Sequence, residues 1–136
     1  MALRKLRVAC ALAGFVAAAA CTGGSMALDG RLVGSWGGTG VSVVLTDTVA
    51  VVEFDCAHGR FGPVLLEDGR FDLAGTWTQE TGAIRVGEGP EEEPANYSGV
   101  TTGDRLVFTV HVAGQAEPFG PFTAHRDTEP LLRKCL

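Results

Sequence analysis

The sequence predicts an all-β domain, a small antiparallel up-and-down barrel of seven or eight strands. Three observations predict it. The apolar runs are short and rich in β-branched and aromatic residues, they alternate with polar residues, and Gly and Pro punctuate the chain at short intervals. No segment of the domain carries a sustained 3.6-residue apolar period with helix caps. At 136 residues there is room for one domain. A meander of hairpins eliminates its unpaired edges by closing on itself. A two-sheet sandwich is the alternative.

The elements follow in chain order. Residues 31–37, around Leu32, Gly34 and Trp36, read as a first strand. Val41–Thr46 is the second, with Val41, Val43 and Leu45 on one face. A Thr46-Asp47-Thr48 turn leads into Val49–Asp55, where Ala50, Val52 and Phe54 face one way and Val49, Val51 and Glu53 the other. Residues 56–62 read as loop. A short strand at Val64–Glu67 meets the Asp68-Gly69 pair, the strongest local hairpin signal in the chain. Arg70–Gln79 follows, with Phe71, Leu73, Gly75 and Trp77 on one face. Residues 81–95, with Gly87, Gly89, Pro90, Glu91-Glu92-Glu93 and Pro94, read as an exposed acidic loop. Asn96–Thr101, a Thr102-Gly103-Asp104 turn and Arg105–Val112 come next; Leu106, Phe108, Val110 and Val112 point inward and His111 outward. A last strand lies near Phe119–His125, and Cys135 ties down the tail Pro130–Leu136.

The first twenty residues read as a targeting segment. Arg4, Lys5 and Arg7 form a basic n-region, and Val8–Ala20 is apolar but short for a membrane span, which needs about 20 apolar residues. An uncleaved anchor helix is the alternative. Three of the 11 basic residues and none of the 16 acidic ones lie in this segment, so the remainder carries a net charge of −8. Lys134 is then the sole lysine. Such a chain repels nucleic acid, whose binding rests on neutralising phosphates. An anionic lipid surface is disfavoured for the same reason.

Cysteine positions refine the address. Cys10 leaves with the targeting segment, and three cysteines remain: Cys21, Cys56 and Cys135. Ala18-Ala19-Ala20-Cys21 resembles the lipobox of bacterial lipoproteins, with Ala18 where that family more often carries leucine. The resemblance implies that cleavage leaves Cys21 as a diacylated, palmitate-bearing N-terminus; ordinary signal peptidase cuts at the same bond without adding lipid. Residues 21–30 then form a short tether, and two acyl chains hold the protein on a membrane almost irreversibly. By the same analogy, Thr22 in place of an aspartate gives no inner-membrane retention signal. With Cys21 acylated, Cys56 and Cys135 are left as a pair for a disulfide in an oxidising envelope compartment. That bridge closes a loop of about eighty residues, worth roughly 4 kcal/mol in chain-entropy accounting.

Gly34-Ser35-Trp36 resembles the Gly-X-Trp signature of lipocalins and related calycin barrels, which implies a tryptophan packed across the barrel's closed end. Two envelope families with comparable barrels are similar in layout, the periplasmic metalloprotease inhibitors and the membrane-anchored lysozyme inhibitors. The stretch from Glu53 to Gly59, with the Lys134-Cys135-Leu136 ending, resembles small secreted or lipid-anchored bacterial proteins of unassigned function.

Candidate chemistry is sparse. Glu53, Asp55 and His58 lie close together, and the two acids share a strand face, so this trio is the candidate surface site. Strand-edge acids are usually solvated and a histidine beside a glycine is more often a turn residue, so no metal is assigned. Gly34, Gly37, Gly38 and Gly40 lack the following helix and lysine of a phosphate loop and fit a sharp corner in the wall. Gly99-Val100-Thr101-Thr102-Gly103 has threonine where a nucleophile elbow needs serine. No cofactor and no catalytic residue is expected.

The expected protein is an exported envelope lipoprotein, with a soluble secreted or periplasmic form as the alternative. Its non-catalytic barrel acts through loops 56–63 or 81–95 as an interaction or inhibitor module toward another envelope protein. The alternative is a carrier of a small hydrophobic ligand. Eight short strands enclose just enough room for side chains, and Phe54, Phe71, Trp77, Phe108 and Phe122 are placed to fill it.

Overall fold

The structure is a computed structural model that describes residues 30–80 and 91–135. Residues 1–20, expected as a targeting segment, Cys21 and the rest of the expected tether up to residue 29, residues 81–90 and Leu136 lie outside the described residues. Among the described residues there are ten strands: β1 Arg31–Leu32, β2 Gly34–Gly38, β3 Val41–Leu45, β4 Ala50–Phe54, β5 Ala57–Phe61, β6 Val64–Leu65, β7 Arg70–Gln79, β8 Glu92–Thr102, β9 Arg105–Val112 and β10 Phe119–Arg126. Eight of them close into an antiparallel barrel in the order β10-β2-β3-β4-β5-β7-β8-β9, while β1 and β6 pair as a separate two-stranded sheet. The barrel, not the sandwich, is the fold.

Alternation dictates most of the wall. Val41, Val43 and Leu45 on β3, Ala50, Val52 and Phe54 on β4, and Leu106, Phe108, Val110 and Val112 on β9 are all buried, with more exposed residues between them. His111 is exposed. Asp68 and Gly69 both take positive φ, 51° and 73°, as a tight hairpin turn requires.

Four readings need correction. Residues 57–61 are strand β5, not loop: Ala57, Gly59 and Phe61 point inward and only Asp55 and Cys56 turn the chain. A Gly-containing segment carries little strand propensity, and its place in the wall comes from pairing on both sides, with β4 and β7. Glu92–Ala95 belong to β8, because the ten-residue β7 extends far enough to pair with them. Pro94 donates nothing there, but its carbonyl accepts from Ala113 N at 2.9 Å. The first strand breaks at Val33, just before Gly34 with its φ of 117°, into β1 and β2, and β6 pairs with β1 outside the barrel. Finally, Gly37 and Gly38 make a close approach rather than a corner: a Cβ on Gly37 would overlap the carbonyl of Thr128, and one on Gly38 that of Thr123.

A continuous column of aromatic rings fills the interior. Phe119 stacks on Trp77 at 4.8 Å between centroids, Trp77 meets Phe54 at 4.8 Å, and Phe54 meets Phe122 at 4.6 Å. Phe122 touches Phe108 at 5.5 Å, Phe108 touches Tyr97 at 6.5 Å, and Tyr97 stacks on Phe61 at 4.4 Å. Phe71 completes the column beside Phe61 at 6.0 Å. Such offset and tilted pairs add about 0.5–1.5 kcal/mol each beyond area burial. Room for them comes from glycines on the inner face. Gly59 accommodates the Tyr97 hydroxyl, which donates to Thr76 O at 2.6 Å; Gly75 lies against Phe61, and Gly99 lies between Phe71 and Phe108.

Trp36 is buried at the end where β1 and β6 sit. Arg126, at the end of β10, lies over its ring at 4.4 Å, pairs with Asp104 at 3.4 Å and donates to Val33 O at 3.3 Å. Cys56 and Cys135 are joined with their Cα atoms 5.1 Å apart.

Substituting Gly59→Ala is expected to destabilise the barrel by about 2 kcal/mol through overpacking against Tyr97. Phe54→Ala is expected to cost about 3–5 kcal/mol by opening the centre of the column. Denaturant titration of each variant measures both, and a change below 0.5 kcal/mol, the range of ordinary surface substitutions, would contradict the packing argument.

Candidate functional site

The β2–β3, β4–β5 and β9–β10 turns and the β7 C-terminus gather at the end opposite β1 and β6, and the candidate residues lie there. Glu53 and His58 face each other across the β4–β5 hairpin, directly paired in register on its outer face. Antiparallel pairing of Ala57 with Gln79 brings the end of β7 to the same hairpin. Glu80 N and Gln79 Nε2 both donate to Cys56 O at 2.8 Å, which fixes Glu80 beside His58. His58 Nδ1 lies 2.8 Å from Glu80 Oε1; the carboxylate only accepts, so the ring nitrogen carries the hydrogen.

Lys134 enters this cluster from the C-terminal tail. Its Nζ lies 2.6 Å from Glu53 Oε2 and 3.2 Å from Glu80 Oε2, and donates to Phe54 O at 2.9 Å. The His58 hydrogen bond, ahead of the Lys134 ammonium, holds Glu80 below the ordinary carboxylate value against opposing burial. Partial burial works against the Lys134 charge, but its bonds to Glu53 and Glu80 outweigh it and hold the amine above the ordinary lysine value.

The sequence trio therefore divides. Glu53 and His58 come together, each paired with a residue from another part of the chain. Asp55 turns to the tail: its Oδ1 accepts from Arg133 N at 2.7 Å and its carbonyl accepts from Cys135 N at 3.2 Å. The position between the carboxylates belongs to the chain's own ammonium. Among the described residues, no three His, Cys, Asp or Glu side chains are placed to share a metal ion. The glycine run lies under β10 and the tail, and Gly99 faces the core. Sequence reasoning missed Glu80 and Lys134. The available signal for Lys134 was its adjacency to Cys135, since a bridge to Cys56 must carry Lys134 to the β4–β5 turn.

Elsewhere the described surface offers two open grooves. One runs along β7–β9 past Arg70, Asp72, Val100 and Val107; the other follows the β10–β2 seam past Gly38, Thr123 and Leu131. No family model matches the chain, and no curated protein or solved structure matches it.

The charge cluster sets a pH window. Glu80 has a folded value below its ordinary 4.5, so its contribution to stability is present above pH 4.5 and lost as pH falls through that lower value. Lys134 has a folded value above its ordinary 10.5, so its contribution is present below pH 10.5 and lost as pH rises through the raised value. Lys134→Met is expected to remove the alkaline arm of a plot of denaturation midpoint against pH and to shrink the acid arm only in part, because His58 still holds Glu80. A variant curve merely parallel to the wild type would count against the cluster.

Proposed function

We propose that the chain is an exported, lipid-anchored envelope protein whose non-catalytic barrel acts through its outer surface as an interaction or inhibitor module. The observation that carries this reading is the aromatic column from Phe119 to Phe71, which takes up the barrel interior and leaves recognition to the outside. The lipocalin likeness of Gly34-Ser35-Trp36 fits the buried Trp36 at one barrel end but does not bring a ligand cavity with it.

The position of Gly30 supports a particular presentation. Its carbonyl accepts from Leu66 N at 2.7 Å, so the chain joins the domain at the β1–β6 end. An anchor at Cys21 puts that end toward the membrane and turns the cluster of Glu53, His58, Glu80 and Lys134 outward. The acting surface in this reading is that end of the wall. It replaces the proposed loop 56–63, since Ala57–Phe61 is strand. The carrier reading is less well supported, because a hydrophobic ligand needs the volume the rings occupy.

Cys21→Ala is expected to move the protein from the membrane fraction to soluble material and to abolish labelling by a palmitate analogue. A variant that stays membrane-bound would show that another element anchors it. For the barrel, a photo-crosslinking residue at Glu53 in intact cells is expected to capture an envelope protein, and native mass spectrometry to find no non-covalent lipid. A bound lipid of the interior together with no crosslinked protein would overturn the surface reading in favour of the carrier.

A further inference from the structure

The tail after β10 runs back along the barrel as a strap. Asp127, φ 52°, reverses the chain, and its N–H donates to Ser35 O at 2.8 Å. Residues 128–130 then cover the outer side of Gly37, whose missing side chain leaves the space they fill. Leu131 forms a parallel bridge with Thr39: its N–H donates to Gly38 O at 3.1 Å, and its carbonyl accepts from Gly40 N at 2.8 Å. Arg133, Lys134 and Cys135 end the strap on the β4–β5 turn. The path follows the weakest part of the wall, for β10 and β2 share only two register pairs, His125 with Gly37 and Arg126 with Trp36.

The strap has little apolar hold. No residue from Asp127 to Cys135 is buried, and Leu131 is 68% exposed. Hydrogen bonds that compete with water hold little on their own, and exposed ion pairs hold less. Chain termini held this way stay in place when something ties them down. Here the tie is covalent, and one of its sulfurs belongs to an exposed residue, Cys135.

We infer that residues 127–135 form a redox-sensitive strap: reduction of Cys56–Cys135 by a dithiol frees it from the β10–β2 seam while the barrel stays closed. A thiolate of the dithiol attacks the Cys135 sulfur, the sulfur–sulfur bond breaks, and Cys56 leaves as a thiolate that takes up a proton. The second thiol of the reductant then displaces Cys135, which is protonated in turn, and the reductant departs as a disulfide carrying the two-electron oxidation. Lys134 and the Leu131 bridge persist only as local, reversible contacts. The freed state uncovers Gly37 and Gly38 and takes away the strap side of the seam groove, which Thr128, Glu129 and Leu131 line.

Hydrogen exchange followed by NMR on the folded protein, before and after reduction in place with dithiothreitol, tests this. The amides of Gly40, Leu131, Arg133 and Cys135 are expected to exchange at least about tenfold faster after reduction, with those of Val43, Val52 and Val110 unchanged. Cys135→Ser is expected to give the same pattern without reductant. Unchanged strap amides would show that the hydrogen bonds alone hold the strap. Uniform acceleration of all amides, or a Cys135→Ser chain that does not fold, would show that the bridge braces the whole barrel. Either result overturns the inference.

Discussion

Filling a narrow barrel with large rings is the constraint on which the rest of the structure depends. Eight strands enclose a space just wide enough for side chains, and six phenylalanines, a tyrosine and Trp77 must share it. They fit because Gly59, Gly75 and Gly99 occupy inner positions where any side chain would collide with Tyr97, Phe61 or Phe71. Glycine weakens a strand in isolation, yet in this wall each one admits a ring worth far more in buried area. Desolvation within the column also keeps the Tyr97 phenol above its ordinary range, so it remains a hydrogen-bond donor to Thr76 O.

Closure is uneven around the wall. β7, β8 and β9 are long and pair over many residues, whereas the β10–β2 seam has two register pairs. Each end of that seam is reinforced differently. Arg126 over Trp36 and against Asp104 secures one end by charge and stacking. The strap and the Cys56–Cys135 bridge secure the other. The parts of the fold with the least apolar burial thus carry most of the polar and covalent fastening.

The charged cluster follows from this fastening. Glu53 and Glu80 project from neighbouring parts of the wall, and two carboxylates so close require a cation or a hydrogen-bond donor. Lys134 and His58 supply both, which turns a potential ligand set into a latch on the strap. Ring packing fills the interior, while polar and covalent contacts fasten the exterior.

The sequence by itself determined the fold class, the inward faces of β3, β4, β7 and β9, the Asp68-Gly69 turn and the Cys56–Cys135 pairing. These are legible because strand alternation and turn chemistry are local, and because two cysteines in one small domain have few partners. It also grouped Glu53, Asp55 and His58 by proximity in the chain, and of these the structure pairs Glu53 with His58 and turns Asp55 to the tail. Only the tertiary structure decided that Ala57–Phe61 is a strand, that Gly59 makes room for Tyr97, and that Glu80 and Lys134 complete the cluster. Each of those depends on which strands become neighbours when the sheet closes, and on the volume left between their side chains. Neither quantity exists until the chain, from Gly30 to Cys135, has come around on itself.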